Sequence, residues 1–279
     1  MIRRCIFHLF YILVLSIAHI GIGQELIKNQ PRSSNITDIT DIMKGYVPFR
    51  ADGKINIPKN IKHIKLDIGL CYNAPMSQYW LSHEEDLWVF GFEPNPESID
   101  AIFHETTKRL PSHGDLLEKK FIGKRFFLVP CALGLATSDT IKLFVTKEDS
   151  GCSSIYLPKY FDVSKIIEVP IFSLSEFFDI FPFDTHPIID YIKIDAQGAD
   201  LDIAKSAGRY LIERVVYITL EAENSQYKNT TNSYEIIDLY MRNLGFVRYI
   251  SPYTCDPTYF NPRFSSYVNE HKVSIYQQG

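Results

Sequence analysis

The sequence predicts an α/β protein whose mostly parallel sheet carries helices on both faces and ends in an antiparallel pair of strands. From residue 61 onward, short apolar runs that are typical of buried strands alternate with longer amphipathic segments. Strands that alternate with helices in this way favour a parallel sheet. The chain has 279 residues, of which 46% are hydrophobic, so it can bury one large core.

The first half of this domain contains three predicted core strands and two helices. The strands are HIKLDIGL, LWVFGFEPN and FFLVPCALGL, each an apolar run next to turn residues. The segments PMSQYWLSHE and PESIDAIFHETTKRL predict helices, because Pro75 and Pro96 stand where a first helical turn accepts proline. The segment TIKLFVT alternates apolar and polar residues and predicts an additional strand.

The second half of the domain continues the alternation. The segment IIEVPIFSLSEFFDIF predicts a strand that leads into a helix capped by Ser173 or Ser175. Two more core strands are predicted, IDYIKIDAQG and RVVYITLEAEN. They are followed by the helices ADLDIAKSAGRYLIE and SYEIIDLYMRNLG, the second of which ends at Gly245. The segments FVRYIS and HKVSIYQQ predict the final antiparallel pair.

Residues 1–24 are predicted to be a signal peptide or a signal anchor. The basic start MIRR precedes an apolar run, and Gly21 and Gly23 suit cleavage before Gln24. The run is also long enough to span a membrane, so a type II anchor is the alternative and a buried helix is a third. Either leader places the chain in the lumen of the secretory pathway or outside the cell. Sequons at Asn35 and Asn229 agree with that address.

Residues 25–60 are rich in polar residues and proline, and they predict an N-terminal arm or stalk. Residues 61–279 are then the folded domain. Outside the leader, four cysteines permit up to two disulfides in an oxidising compartment, with three possible pairings. They are Cys71, Cys131, Cys152 and Cys255. The alternative is that Cys71 and Cys131 are small buried residues at strand ends.

The charge pattern argues against nucleic acid as a partner. The formal net charge is −4, and the chain has no concentrated block of lysine and arginine. Nucleic acid is therefore not an expected partner, because phosphate binding needs a basic face. No cysteine or histidine spacing resembles a metal site, so no metal is predicted. A membrane is expected as a partner only if the N-terminal segment is an uncleaved anchor.

Carboxylates follow four of the predicted core strands. The strand ends read Asp67-Ile68-Gly69, Glu93-Pro94-Asn95, Asp195-Ala196-Gln197-Gly198 and Glu221-Ala222-Glu223-Asn224. Parallel sheets bind ligands at the carboxyl ends of their strands, near the point where strand order reverses. A purely structural sheet gains nothing from four acids at one edge, because each charge raises the cost of ionising the others. This concentration of acids predicts a ligand site.

The first turn favours one nucleotide-like cofactor over another. Glu93 can accept both ribose hydroxyls of an adenosine, which suits NAD and S-adenosylmethionine equally. A dinucleotide needs a turn with several glycines, whereas this turn, GLCYNAP, has only Gly69. Asp67 beside it suits the ammonium of S-adenosylmethionine. The alternatives are that Asp67 caps a helix or turn and that Glu93 is a solvated strand end.

Six blocks of the sequence resemble the FkbM-type S-adenosylmethionine-dependent methyltransferases, over roughly residues 61–250. The blocks are LDIGLCYNAPMSQ, VFGFEPNPES, VPCALG, GCSSIY, VPIFSLSEFF and YIKIDAQGADLDIAKSAG. The resemblance implies a Rossmann-like class I methyltransferase sheet. The chain departs from the family pattern where Gln197 and Asp200 replace Glu, and where Cys71 and Asn73 replace Asn and Gly. Asn tolerates the left-handed conformation better than most residues, so the turn can survive.

The resemblance also implies methyl transfer from S-adenosylmethionine to a hydroxyl oxygen, often of a sugar or a natural product. Asp195 is expected to act as the base or to orient the acceptor hydroxyl, with a structural ion pair as the alternative. Lys193 shares that strand face and is expected to pair with Asp195 or with Glu221. Glu221 is a second candidate base, and Gln197 is expected to hydrogen-bond a neutral acceptor.

The aromatic segment YTCDPTYFNPRF is expected to form a stacking wall for a sugar ring, with Tyr253 and Tyr259 as the contacts. The alternative is that these rings pack over the last strands. Together the observations favour a secretory-pathway O-methyltransferase that acts on a glycan or glycoconjugate. A non-catalytic glycan- or protein-binding relative is the second hypothesis, and an NAD-dependent enzyme is the third and weakest.

Overall fold

The computed structural model describes residues 38–104, 114–147, 149–223, 225–249, 256–273 and 275. In chain order the described strands are β1 (His63–Ile68), β2 (Leu87–Phe92), β3 (Phe126–Val129), β4 (Ala132–Leu133), β5 (Thr140–Thr146), β6 (Val163–Phe172), β7 (Ile189–Ile194), β8 (Val215–Leu220), β9 (Val247–Tyr249) and β10 (Thr258–Phe260). The described α-helices are α1 (Ile39–Met43), α2 (Pro75–His83), α3 (Pro96–His104), α4 (Leu174–Ile180), α5 (Asp200–Ser206), α6 (Tyr210–Arg214), α7 (Tyr234–Asn243) and α8 (Ser265–His271).

Seven strands form the main sheet in the order β3-β2-β1-β7-β8-β10-β9. Strands β1, β2, β3, β7 and β8 are parallel, while β10 pairs antiparallel with both β8 and β9. The chain moves outward in one direction from β1 to β3 and in the other from β7 to β8. The strand order therefore reverses between β1 and β7, which is where open sheets of this kind bind ligands.

Helices cover both faces of this sheet, as the alternating sequence pattern predicts. Along β2, Phe90 and Phe92 join one buried cluster, whereas Leu87 and Val89 join another on the opposite face. The first cluster takes residues from α4, α5, α6 and α7, and the second takes residues from α2, α3 and α8. Strands buried on both faces read as continuous apolar runs, which explains why LWVFGF carries no alternation.

The segment FFLVPCALGL forms two strands rather than the one that we predicted. It divides after Val129, because Pro130 has no backbone N–H to donate to a neighbouring strand. The N-terminal part is β3 of the main sheet, and β4 joins a separate three-stranded sheet in the order β4-β6-β5. The additional strand TIKLFVT is confirmed as β5, which pairs antiparallel with β6.

The predicted helix ADLDIAKSAGRYLIE is also divided, into α5 and α6, at Gly208, whose φ is +58°. Of the two candidate caps for α4, Ser173 is the cap, since its side chain accepts from the backbone N–H of Glu176. The helix α7 ends before Gly245, as predicted, and that glycine has a φ of +88°. A positive φ ends a helix at little cost only where the residue is glycine.

The last strand pair is antiparallel as predicted, but one partner was assigned wrongly. The segment HKVSIYQQ was expected to pair with β9, whereas the described strand that does so is β10. Ser274 and residues 276–278 of that segment lie outside the described residues. Its first residue, His271, instead ends α8. The physical reason is burial, because Tyr259 in β10 is fully inaccessible and packs with the main core.

The second half of the expected polar arm differs from the prediction. Helix α1 and the residues after it pack on the main core, where Ile39, Met43, Val47 and Ile55 are buried. These apolar residues are separated by polar ones, so the polar composition of the segment did not indicate that they would be buried. The leader, the first half of the arm, Tyr253 and Cys255 lie outside the described residues. Within the described part, no helix is long and apolar enough to cross a membrane.

Candidate active site

A cavity of about 360 Å³ opens at the carboxyl ends of β1, β2 and β7, at the point where the strand order reverses. Its size is in the range of small-molecule and cofactor sites. It is lined by residues 68–71, 92–94, 131–133 and 149–155, together with Lys193, Asp195 and Gln197. Three of the four predicted strand-end segments therefore line one cavity.

The turn after β1 depends on Gly69. Its φ is +83°, and a Cβ built there would lie 1.9 Å from the backbone oxygen of Asp195. The two strand ends can approach this closely only because Gly69 has no side chain. The other left-handed residues of the turn are Cys71 and Ala74, so Asn73 does not take the glycine conformation that we expected of it.

Asp67 lies behind the cavity and not in its lining. Its side chain is 1% exposed, and Oδ2 accepts from the backbone N–H of Ser77 at 3.1 Å and from Ser77 Oγ at 2.6 Å. These bonds satisfy donors in the first turn of α2. Burial raises the pKa of Asp67, and the nearby Lys193 opposes that rise. The structure therefore favours the helix-capping alternative over direct contact with a cofactor.

Glu93 does line the cavity, next to Pro94. The residue is 6% exposed, and burial raises the pKa of its carboxyl to about 8. Oε1 accepts from the backbone N–H of Asn95 at 2.8 Å. Asn95 in turn accepts from the N–H of Glu97 at the start of α3, at 3.1 Å. Asn95 is thus a capping residue beneath the site, and its buried Nδ2 has no hydrogen-bond partner among the described residues.

Asp195 lines the cavity, and 38% of its side chain is exposed. Its Oδ2 lies 3.1 Å from Lys193 Nζ, and its Oδ1 accepts from Gln197 Nε2 at 2.8 Å. Burial opposes ionisation of Asp195, but Lys193 and the amide of Gln197 together hold its pKa below the usual value. The predicted pairing of Lys193 is thereby resolved in favour of Asp195.

Glu221 lies beside this pair, but its carboxyl is neutral where that of Asp195 is charged. Burial first, and then the negative charges of Asp195 and Asp200, raise the pKa of Glu221 to about 10. Its Oε2 accepts from Gln197 Nε2 at 3.0 Å. A carboxyl that is protonated at neutral pH cannot accept a proton, so its charge state argues against the predicted role of base.

Gln197 bridges the two acids instead of facing an acceptor. Both of its amide protons point to carboxyls, and its Oε1 accepts from the hydroxyl of Tyr227 at 2.6 Å. Tyr227 is fully buried and was not among the predicted site residues. It lies in a loop after β8 and carries no motif, so the sequence offers no signal that would have found it.

Asp200 has a structural position. It is fully buried, and Oδ1 accepts from the backbone N–H groups of Ala196 and Glu221 at 3.3 and 3.2 Å. Its Oδ2 accepts from Asn232 Nδ2 at 3.1 Å. Burial raises the pKa of Asp200 to about 7. It ties the ends of β7 and β8 together rather than reaching the cavity.

The loop Asp149–Ser154 forms one wall of the cavity, and we assigned it no role from the sequence. A Cβ at Gly151 would lie 3.0 Å from Cys71 Sγ, so the loop rests against the first turn. Ser154 Oγ donates to the backbone oxygen of Gln197 at 2.7 Å, which ties the loop to the acids. The sequence did contain a signal for this loop, because GCSSIY is one of the six blocks that resemble the family. Its residue types alone did not indicate a role.

Cysteine and metal chemistry is limited in the described part of the chain. Cys71, Cys131 and Cys152 form no disulfide there. Burial raises the pKa of Cys71 to about 12 and that of Cys152 to about 11, so both thiols are protonated at neutral pH. No group of three or more His, Cys, Asp or Glu residues in that part is arranged to hold a metal ion.

The prediction that Tyr259 contacts a sugar ring is wrong. Its ring is buried in β10, opposite Ile218 of β8, and its hydroxyl donates to Asp238 Oδ1 at 3.3 Å. The cavity lining does not include it. The ring packs in the core because alternate residues of an inner strand face a covered side of the sheet.

Comparison with known proteins identifies the family. A sequence profile of the methyltransferase FkbM domain matches residues 67–248, which include all the strand-end acids of the site. Searches of curated proteins and of solved structures found no significant match. The profile covers more than half of the chain, from the end of β1 through β8, and we conclude that the chain belongs to the FkbM methyltransferase family.

Proposed function

We propose that this protein is an S-adenosylmethionine-dependent O-methyltransferase that acts on a hydroxyl of a glycan or glycoconjugate in the secretory pathway. The charge state of Asp195 carries this proposal. It is the one acid of the Asp195, Glu221 and Asp200 group that stays ionised at neutral pH while opening to the cavity. An ionised carboxylate at a cavity surface can accept the hydrogen bond of an alcohol.

The cavity fits the adenosine part of this cofactor through Glu93. Burial raises the pKa of the Glu93 carboxyl to about 8 although backbone N–H groups, including that of Asn95, already donate to it. Further donors would therefore stabilise its ionised form. Two ribose hydroxyls are such donors, and one carboxylate can accept from both. S-adenosylmethionine, when bound, supplies a methyl group that its sulfonium has already activated.

The start of α2 argues against a dinucleotide. A pyrophosphate binds where the N–H groups of a helix N-terminus are open to it. Here Ser77, in the first turn of α2, already donates its backbone N–H and its hydroxyl to Asp67. A phosphate at that turn would find the donors of Ser77 already bonded and would lie near the carboxyl of Asp67. S-adenosylmethionine carries no phosphate and avoids this conflict.

The residues around Asp195 would handle the proton of the acceptor. Asp195 would hold the acceptor hydroxyl by accepting its hydrogen bond, and would take its proton as the new oxygen–carbon bond forms. Lys193 keeps Asp195 ionised until that point, since its ammonium is 3.1 Å from Oδ2. Its own pKa is raised by Asp195 and Asp67 in spite of burial, so it stays charged.

The glycan and its compartment rest on the sequence. The predicted leader directs the domain into the secretory pathway, where sugars are abundant hydroxyl acceptors. The sequon residue Asn229 is exposed on a loop, as a glycosylated asparagine must be. The alternative, a non-catalytic binding module on this fold, draws support from Gln197, because an amide cannot act as a base.

Methyl transfer from isotope-labelled S-adenosylmethionine to a panel of soluble glycans and glycoproteins tests the proposal. We expect label on a sugar oxygen, located by fragmentation mass spectrometry. Label on nitrogen or carbon would contradict O-methylation. Binding of the cofactor without transfer to any hydroxyl acceptor, by folded protein, would favour the non-catalytic alternative.

A further inference from the structure

The side chain of Gln197 joins the two acids at the ends of β7 and β8. Its Nε2 lies 2.8 Å from Asp195 Oδ1 and 3.0 Å from Glu221 Oε2, and the two carboxyls also hydrogen-bond to each other. We propose that Gln197 is a positioning residue whose amide holds Asp195 and Glu221 as a pair that shares one proton, with the charge on Asp195. Its value for catalysis rests on the proposed function, whereas the pairing itself does not.

The fold fixes this glutamine through its backbone conformation and through contacts with Ser154 and Tyr227. Its backbone has a φ of +53°, a left-handed conformation that non-glycine residues rarely adopt. Ser154 Oγ holds its carbonyl, and Tyr227 donates to its Oε1 at 2.6 Å. A Cβ on the neighbouring Gly198 would lie 3.3 Å from the Tyr227 ring, so this tyrosine is packed tightly against the turn. Strain at a single residue persists where surrounding contacts demand it.

The orientation of the amide follows from its partners. Asp195 is ionised and can only accept, so its Oδ1 faces the amide nitrogen, because the reverse orientation would place two acceptors together. An amide offers two donors at every pH. A glutamate at the same position, which the family pattern has, offers a donor only while it is protonated. The hydrogen bonds from Gln197 to the two carboxyls therefore do not depend on its own protonation. A glutamate at this position would lose its hydrogen bond when it ionised.

Other titratable groups surround this pair and enter its behaviour. Those that interact with Asp195 or Glu221 include Lys193, Asp67, Asp200, Asp256, Cys152 and Tyr227. Lys193 is the cation beside Asp195, and it contacts Oδ2 rather than the Oδ1 that Gln197 holds. The contributions of the amide and of the ammonium can therefore be separated by substitution.

Carbon-13 NMR of the Asp and Glu side-chain carboxyls tests the pairing directly. Asp195→Asn and Glu221→Gln assign the two signals in the protein without cofactor. In Gln197→Met, which keeps the length of the side chain but removes its donors, we expect the Asp195 midpoint to rise by about one pH unit. In Gln197→Glu we expect a larger rise, because an ionised glutamate adds a negative charge.

Tyr227→Phe provides a milder change, since it removes only the hydroxyl that orients the amide. We expect a smaller rise of the same midpoint. Tyr156→Phe is the matched control, because the hydroxyl of Tyr156 donates to Asp202, away from the pair. It should leave the Asp195 midpoint unchanged, and circular dichroism confirms that each variant is folded.

An unchanged Asp195 midpoint in folded Gln197→Met or Gln197→Glu would overturn the proposal. A shift as large in Tyr156→Phe as in Tyr227→Phe would also overturn it, because the effect would then be general. A moved midpoint in a protein that binds no S-adenosylmethionine would keep the pairing and discard the proposed function. A change in methyl transfer whose pH profile follows the NMR midpoint would support both.

Discussion

The ammonium of Lys193 lies 3.1 Å from Asp195 Oδ2 and donates to the backbone oxygen of Gly69 at 3.3 Å. One cation therefore links the acid that follows β7 to the turn that follows β1, across the point where strand order reverses. It also lies 3.8 Å from Asp67 Oδ1, behind the turn. The charge of Asp195 and the shape of the turn after β1 thus depend on the same side chain.

Asp195→Asn should separate methyl transfer from cofactor binding. The amide keeps the size of the side chain but cannot take a proton, so we expect kcat to fall by about 100-fold or more. The affinity for S-adenosylmethionine, measured by calorimetry, should change little. Asp202→Asn is the control, because Asp202 bonds Tyr156 outside the cavity. Equal loss of transfer in both variants would contradict the role of Asp195.

Gly69→Ala should be far more destabilising than the same change at another left-handed glycine. A Cβ at Gly69 would overlap the oxygen of Asp195 at 1.9 Å, whereas nothing lies within 4 Å of a Cβ at Gly123, whose φ is +72°. We expect Gly123→Ala to cost about 1–2 kcal/mol, from backbone strain alone. Gly69→Ala should cost about 3 kcal/mol or more. Urea denaturation of both variants checks this difference.

The protein without cofactor should lose stability as the pH rises. Folding raises the pKa of Glu93 from 4.5 to about 8 and that of Asp200 from 3.8 to about 7. The folded state therefore binds these protons more tightly than the unfolded chain does. Their stabilising contribution is complete below about pH 4 and is lost as the pH rises through 7 and 8.

Thermal unfolding measured between pH 5 and 9 checks this dependence. We expect Tm to fall with pH, because the free energy of unfolding falls by about 1.4 kcal/mol per pH unit for each carboxyl that is protonated only in the folded state. In Glu93→Gln the fall should be shallower up to about pH 8, since glutamine does not titrate, while Glu221, with a pKa of about 10, still contributes. A Tm that rises over the same range would contradict the assignment of buried, protonated carboxyls.

Cofactor binding should release a proton from Glu93. Free Glu93 is mostly protonated below its pKa of about 8, whereas ribose hydroxyls stabilise its ionised form. The affinity for S-adenosylmethionine should therefore increase with pH, by up to about tenfold per unit between pH 6 and 8. Calorimetry in two buffers of different ionisation enthalpy counts the proton. Glu93→Gln should bind more weakly and release none.

The sequence predicted the order of elements well because each core strand of the parallel sheet is a contiguous apolar run. The strand ends followed, and with them the positions of Glu93, Lys193 and Asp195 around one cavity. It did not predict which strand pairs with β9. The segments Thr258–Phe260 and HKVSIYQQ are both short and partly apolar, and only packing decides between them.

The sequence also could not assign roles among the acids. An aspartate at the end of a first strand can bind a ligand or cap the next helix, and its direction is known only from its contact with Ser77. Similarly, Gln197 looks like a binding residue until its amide is seen between two carboxyls. Such roles depend on residues far apart in sequence, and Tyr227 is the clearest case.

Calorimetric titration of the purified protein with S-adenosylmethionine, and with NAD in parallel, tests the central claim most directly. We predict heat of binding with S-adenosylmethionine that is lost in Glu93→Ala, and no heat with NAD. That result would show that one glycine in the first turn is enough for this cofactor. No heat of binding with either ligand from folded protein, or heat with NAD alone, would contradict the account of the site.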